Sequence, residues 1–399
     1  MTVEHTGLRF PFAHRTLFEP PEEFASLREQ QPVARVTLPT GDEAWLVTRY
    51  ADVRAMLSDA RLSRAATTKP GAPRLGPARP EPDSMMAMDP PGHTRLRKLV
   101  AHAFTARRTE RLRPRIQEIT DGLLSAMEQQ GKPADLVEHL ARPLPLTVIC
   151  ELLGVPDRDR DAFRRWTDTA LSLQPQATEA VAAAREALNG YLAALAVDKL
   201  AHPGADLLSV LALASEEGDR LSKEELAVLA ATLLTAGYHT VANAITNGTA
   251  ILLTHPEQLA ALTADPTLIP NAVEELVRYT PGPVSGGTMR IATRDLEIGG
   301  VCVRAGEAVI PSTTSANRDA EVFACPNDFD VAREHNPHIG FGPGIHHCLG
   351  AQLARIELQT AFGSLLHRFP GIRLAVPPAE LTWNTAGMIR GFTVLPVEW

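Results

Sequence analysis

From 221 to 253 the chain reads as one long apolar helix, and no other feature limits its fold as much. At 1.5 Å per residue such a helix is about 50 Å long, enough to cross a whole domain. Its start is marked by 222–225 (SKEE), a capping box in which the serine caps the helix and Glu225 reaches back. An apolar helix of this length must be covered by other helices. The chain of 399 residues can supply them. A core of that size buries roughly three quarters of the unfolded surface and can hide a sizeable ligand.

Periodicity predicts the covering helices over 94–104, 111–129, 142–153, 158–173, 178–201 and 206–214, with 256–263, 270–279 and 349–368 following. Pro and Gly separate or punctuate them. Strands are predicted at the two ends. Segments 32–39 and 44–48 form a hairpin about Thr40-Gly41-Asp42, and a short helix follows over 51–59. After Pro281 come strands at 288–292, 296–298, 301–303 and 308–310, then near Leu374 and over 393–397. The fold class is mainly α: a helix-rich single domain over 1–399, with small β-sheets near the N-terminus and in the C-terminal half. Segment 65–84 is Pro- and Gly-rich with little periodicity. A long loop inside a compact chain is read as a mobile substrate lid.

Charge and cysteine content exclude several classes. With 39 Lys+Arg against 47 Asp+Glu the net charge is −8, which gives no reason to expect nucleic-acid binding. The four cysteines form no CxxC pair, so zinc ribbons and thioredoxin-like motifs are excluded. Residues 1–15 carry charges and no apolar core run, and the apolar stretches are interrupted by Thr, Gly or charge. A cytoplasmic protein without a membrane partner is expected.

The sharpest local signal is 341–350, FGPGIHHCLG. Cys348 lies in a Gly/Pro-rich loop that opens directly into a helix. Backbone N–H groups and the helix dipole favour a thiolate there, suited to ligating a metal from one side. Cys150, Cys302 and Cys325 lack such a setting and read as ordinary free cysteines.

Phe341, Gly344, Cys348 and Gly350 resemble the FxxGxxxCxG loop of the cytochrome P450 haem-thiolate monooxygenases. The resemblance extends over almost the whole chain. Glu275 and Arg278, three apart on one helix face, resemble the family's ExxR pair, and Arg333 its third member. Residues 88–97 (MDPPGHTRLR) resemble the start of the family's haem-contacting helix. Ala236-Gly237-Tyr238-His239-Thr240 falls where the family's central helix kinks to bind oxygen. Length and the lack of an anchor resemble the soluble bacterial branch.

By position, the resemblance implies haem b with Cys348 as axial ligand. It implies that His93, Arg97, Arg290 and His346 pair with the haem propionates. Phe341, Gly344 and Gly350 would shape the cofactor loop, and Glu275, Arg278 and Arg333 would form a structural cluster behind it. Thr240 matches the distal threonine that hydrogen-bonds oxygen, and its position favours that role over a hydroxyl bonded back to its own helix. Gly237 implies a local opening of that helix. His239 departs from the family, which usually has an acid there. It could relay protons, form a silent salt link with the lid, or mark a different proton supply and an atypical outcome such as oxidative coupling or ring closure. Substrate contacts are implied at Met85, Met86, Leu233, Ala236, Val284, Ser285, Gly286, Met388 and Ile389, a mostly apolar and roomy set. Arg107, Arg108, Arg111 and Arg113 make a basic run suited to an acidic ferredoxin.

The function expected is insertion of one oxygen atom from O2 into an apolar small molecule in natural-product tailoring. Electrons would come from NAD(P)H through a ferredoxin reductase and a ferredoxin, and the enzyme would act as a monomer. The alternatives are an atypical oxidation or a haem protein that does not oxygenate.

Overall fold

The computed structural model describes residues 7–13, 18–76, 79–101, 104–170, 178–213, 215–216, 219–281, 288–384 and 391–399. Its α-helices are α1 Glu23–Gln30, α2 Tyr50–Ser58, α3 Gly92–Ala101, α4 Ala106–Glu110, α5 Arg113–Gln130, α6 Pro143–Leu153 and α7 Arg160–Ala170. They continue as α8 Thr178–Ala201, α9 Leu207–Leu213, α10 Lys223–Thr254, α11 Pro256–Ala264, α12 Ile269–Tyr279, α13 Thr313–Ala316 and α14 Ala351–Arg368.

The long helix is α10. Ser222 Oγ accepts from Glu225 N–H (3.1 Å), and Ser222 N–H donates to Glu225 Oε2 (2.9 Å), so the capping box is formed. Apolar cores lie on two flanks of α10. One contains Leu229, Ala230 and Leu234 with side chains of α3, α6, α7, α8 and α9. The other contains Ile245, Ala250 and Ile251 with side chains of α5, α6, α12 and α14. At Gly248 a Cβ would come within 2.6 Å of Phe362 Cζ, so α14 approaches α10 more closely there than an alanine allows.

The expectation that the chain's interrupted apolar stretches fall short of a membrane span is corrected by α10, which is long and apolar enough to cross a membrane by length and composition. Single Thr, Asn and Gly residues do not lower its hydropathy enough, and its apolar side chains are spent on the two cores.

A six-stranded sheet joins the two ends of the chain, in the order Leu8–Arg9, Val33–Thr37, Glu43–Val47, Ala308–Pro311, Arg290–Ala292, Leu62–Ser63. Ala308–Pro311 runs parallel to Glu43–Val47 and antiparallel to Arg290–Ala292. This pairing brings Arg290 beside the end of α2.

Several boundaries move for local reasons. The last long helix starts at Ala351, two residues later than predicted, because Cys348–Gly350 complete the loop before it: Ala354 N–H is the donor to Gly350 O (2.8 Å). Helix α1 was not predicted, since only Phe24 and Leu27 of its residues are buried. A π-helical turn, Val137–Ala141, leads into α6. Among its described residues, segment 65–84 is a loop with a 3-10 turn at Ala65–Thr68. It is pinned where Arg74 N–H donates to Asp42 Oδ2 (2.9 Å) and Arg74 O accepts from Thr40 Oγ1 (2.6 Å).

Candidate active site

The loop 341–350 depends on two left-handed glycines, Gly342 (φ +69°) and Gly344 (φ +78°). A Cβ on Gly344 would lie 3.0 Å from Leu57 O, so the loop packs on the end of α2 only with glycine there. Cys348 N–H donates to Phe341 O (2.8 Å) and closes the loop. The Phe341 ring lies under the Arg355 guanidinium, 4.4 Å from its centroid. Gly350 is the N-cap of α14, and its N–H bonds the Cys348 thiol.

Cys348 keeps exposed surface. Burial among protein groups nevertheless raises its thiol pKa, and the Gly350 N–H, Arg97 and Arg355 only partly oppose this. The Gly350 N–H acts in the direction the helix terminus implies, and burial acts against it. Stabilising the thiolate takes a stronger charge, such as a metal cation.

Around this loop cations gather. His93, on α3, is buried at 2 % exposure, and its Nδ1 has no hydrogen-bond partner among the described residues. Its ring lies 4.2 Å from that of His346, centroid to centroid. Arg290 is equally buried, and its Nη1 donates to Met56 O (3.1 Å). Arg97 is half-buried and donates from Nη2 to His347 O (2.6 Å). Burial, and then the charges of Arg64, His93, Arg290 and Arg97, push the His346 imidazole down to about 2. Arg64 belongs to this group although no motif pointed to it. It follows a two-residue strand, too short to give a sequence signal.

On α10, Ala236 and Thr240 are exposed one turn apart, with Leu233 half-buried behind them. Thr240 Oγ1 donates back to Ala236 O (2.6 Å). The helix is continuous through Gly237, so the expected local opening is corrected: the Ala236 carbonyl is held by the Thr240 hydroxyl inside an unbroken helix. Space beside Gly237 remains, since a Cβ there would meet only Ile149 Cδ1 at 4.0 Å.

His239 does not face the 65–84 loop in any contact among the described residues, which corrects the salt-link expectation. Its charged neighbours are Arg142, just before α6, and Asp168 on α7. Burial first, then Arg142, lowers its pKa, and its Nε2 is buried without a partner among the described residues. The adjacent Tyr238 hydroxyl donates to Asp168 Oδ1 (2.5 Å), with the two rings 4.6 Å apart.

Glu275 and Arg278 pair as the i,i+3 spacing implies, through Nε–Oε2 and Nη2–Oε1 bonds of 2.7 Å each, with both side chains at 0 % exposure. Arg333 Nε adds bonds of 3.1 and 3.0 Å to the two Glu275 oxygens. Arg278 also donates to the carbonyls of Asn317, Pro326 and Asp328. Each buried charge is thus paired and hydrogen-bonded, the condition under which burying ions is tolerable.

The chain as a whole has close relatives. The family model for cytochrome P450 matches residues 179–379. Nocardicin C N-oxygenase of Nocardia uniformis subsp. tsuyamanensis is 50 % identical over 391 residues, covering 98 % of each chain. Mycinamicin IV hydroxylase/epoxidase of Micromonospora griseorubida is 46 % identical over 94 % of each chain. The chain belongs to the cytochrome P450 family. The structure of a variant of the mixed-function P450 MycG with mycinamicin V superposes with a TM-score of 0.94 at 45 % identity, over 98 % of this chain and 100 % of that one.

As a cytochrome P450 it is a monooxygenase that carries haem iron, uses O2 and draws electrons through partner proteins. The residues of this chain fit that group. Cys348 is exposed, and the Arg97 and Arg290 guanidiniums together with the ring nitrogens of His93 and His346 suit two buried carboxylates. In this P450, Met85 is buried in a 3-10 turn, Met85–Ala87, and Met86 is exposed. Val284, Ser285, Gly286, Met388 and Ile389 lie outside the described residues. In the basic run Arg107, Arg108 and Arg111 are exposed, whereas Arg113 is engaged by Glu110 and Gln359.

Proposed function

We propose that this P450 is a natural-product tailoring enzyme that hydroxylates or epoxidises an apolar, medium-sized molecule. The observation that carries this reading is the 46 % identity, over 94 % of each chain, to an enzyme named as a mycinamicin IV hydroxylase/epoxidase. In hydroxylation a C–H bond of the substrate becomes C–O–H, the second oxygen atom leaves as water, and two electrons and two protons are consumed. Cys348 would hold the haem iron through its thiolate, and the bound group would supply the activation of O2 that the electron-rich sulfur favours. His93, Arg97, Arg290 and His346 hold the propionates, while Ala236, Leu233 and Met85 exclude water from the substrate side. The enzyme acts as a cytoplasmic monomer. Electrons pass from NAD(P)H through a ferredoxin reductase and a ferredoxin, which docks on Arg107, Arg108 and Arg111, where α4 packs on α14. To test the reading, a compound that shifts the Soret band is incubated with these partners, NADPH and isotopically labelled O2. One labelled oxygen atom in the product is expected; substrate-independent NADPH consumption, or product without label, rejects it.

His239 supports a proton-relay role. Burial keeps its imidazole neutral at neutral pH, and the bare Nε2 can accept a proton and pass it toward the exposed Thr240 face. Replacing His239 by alanine is expected to divert electrons to hydrogen peroxide and lower the product formed per NADPH, with His239→Asp restoring coupling. Unchanged coupling in His239→Ala removes the role. It would favour the second reading, an oxidation such as coupling or ring closure that needs a different proton supply.

A further inference from the structure

Helix α12 carries two carboxylates side by side, and the buried ion cluster uses only one of them. Glu275 turns to Arg278 and Arg333. Successive helical residues point about 100° apart, so Glu274 faces elsewhere, toward α14 and the start of the ligand loop. Its Oε1 accepts from Arg355 Nε (2.6 Å), and its Oε2 accepts from Arg355 Nη2 (2.8 Å) and from His338 Nε2 (3.0 Å). His338 Nδ1 accepts from Gly340 N–H (3.2 Å), which leaves Nε2 as the donor to Glu274. Gly340 seats this segment on the helix: a Cβ there would come within 2.5 Å of Val277 Cγ1, which shares a face of α12 with Glu274.

These contacts converge on Phe341. The Arg355 guanidinium lies over its ring, 4.4 Å from the centroid, and the His338 ring is 5.9 Å away, centroid to centroid. Phe341 O in turn accepts from Cys348 N–H (2.8 Å). An unbroken path therefore runs from Glu274 through Arg355 and the Phe341 ring to the backbone of the sulfur-bearing residue. Burial acts to raise the Glu274 carboxyl, but the bonds from Arg355 and then His338 outweigh it and bring the carboxyl down to about 2, so it is charged at neutral pH. A bidentate carboxylate fixes the plane of a guanidinium, and a guanidinium held over a ring attracts its π face. Groups outside the first coordination sphere orient a metal ligand in this way.

We propose that Glu274, Arg355 and His338 form a brace that holds the Phe341 ring and, through the Phe341 carbonyl, fixes the Cys348 sulfur for its bond to the haem iron. All three are positioning residues that act through Phe341. The proposal rests on the reading of Cys348 as the iron ligand.

The test compares the full-length holoprotein with its Arg355→Lys and Glu274→Gln variants. Two quantities are read: the iron–sulfur stretching band in resonance Raman spectra, and the rate at which the reduced, carbon monoxide-treated protein loses its thiolate-type absorbance in mild urea. Arg355→Lys keeps the charge but loses the planar fork, and Glu274→Gln keeps the shape but loses the charge that orients Arg355. Each is expected to broaden the band and to lose the thiolate-type absorbance about tenfold faster, the scale of one hydrogen bond to a charged group. A wild-type band or a wild-type rate in either variant overturns the proposal. Should Arg355→Lys not take up haem, Glu274→Gln decides by the same two readings. In a Phe341→Leu background, which lacks the ring, Arg355→Lys should add only about twofold or less, the scatter of unconnected changes. An added effect as large as in the wild-type background overturns the route through the ring. If the wild-type protein itself shows no iron–sulfur band, the reading of Cys348 falls and the brace with it; if the wild type shows the band and the variants match it, the brace alone falls.

Discussion

Replacing Cys348 by serine is expected to abolish the thiolate-type absorbance of the reduced, carbon monoxide-treated protein and to bring oxygenation to background. A serine hydroxyl is a hard donor that stays protonated where a cation-bound thiol ionises, so it cannot replace sulfur as the strong electron donor. The fold should survive, because the loop is closed by the backbone bond from Cys348 N–H to Phe341 O and by the conformations of Gly342 and Gly344. Unchanged far-ultraviolet circular dichroism with loss of the thiolate band is therefore the expected pair of results. A thiolate-type band that persists in Cys348→Ser would reject this residue as the ligand. The remaining cysteines offer poor substitutes: Cys150 is buried, with its thiol pushed up to about 12, and Cys302 and Cys325 lie outside the cation group.

The second large effect concerns stability. Glu275→Ala removes the one carboxylate that Arg278 and Arg333 share, leaving two guanidiniums buried without a counter-charge. Breaking a buried pair in this way costs about 3–5 kcal/mol, against a total folding stability of roughly 5–15 kcal/mol. The variant should express poorly, unfold at a clearly lower urea concentration and retain little haem. Glu275→Gln keeps the shape and some hydrogen bonds but loses the charge, so it should fall between wild type and Glu275→Ala. An unchanged urea midpoint for Glu275→Ala would contradict this account of the cluster. The effect should appear in the unfolding curve of the haem-free protein too, because the three residues bond to one another and to nearby carbonyls and not to the cofactor loop.

The legible parts of the sequence share a cause. The capping box at Ser222 and Glu225, the Glu275–Arg278 spacing and the glycine pattern around Cys348 are all satisfied within a few residues. Local chemistry of that kind is written in consecutive positions. Helix α8 closes at Ala201, where its periodicity predicts. The missed parts depended on distant partners. Helix α1 has a weak apolar face and is held by the sheet beside it, with Arg28 bonded to Ser315 across the fold. The two-residue strand before Arg64 exists only because Arg290–Ala292 pairs with it.

The site divides in the same way. The ligand loop, the ion cluster and the alternation of small and polar residues about Thr240 could be read from the chain alone, since each is a contiguous pattern or one helical turn. The direction that His239 faces, the closed turn at Gly237 and the inclusion of Arg64 among the cations could not. Those were decided by which helices and strands pack together, because burial and electrostatic fields arise from groups hundreds of positions apart. The linear order of residues carries short-range geometry. Only the folded chain sets the dielectric and the company in which each charge sits.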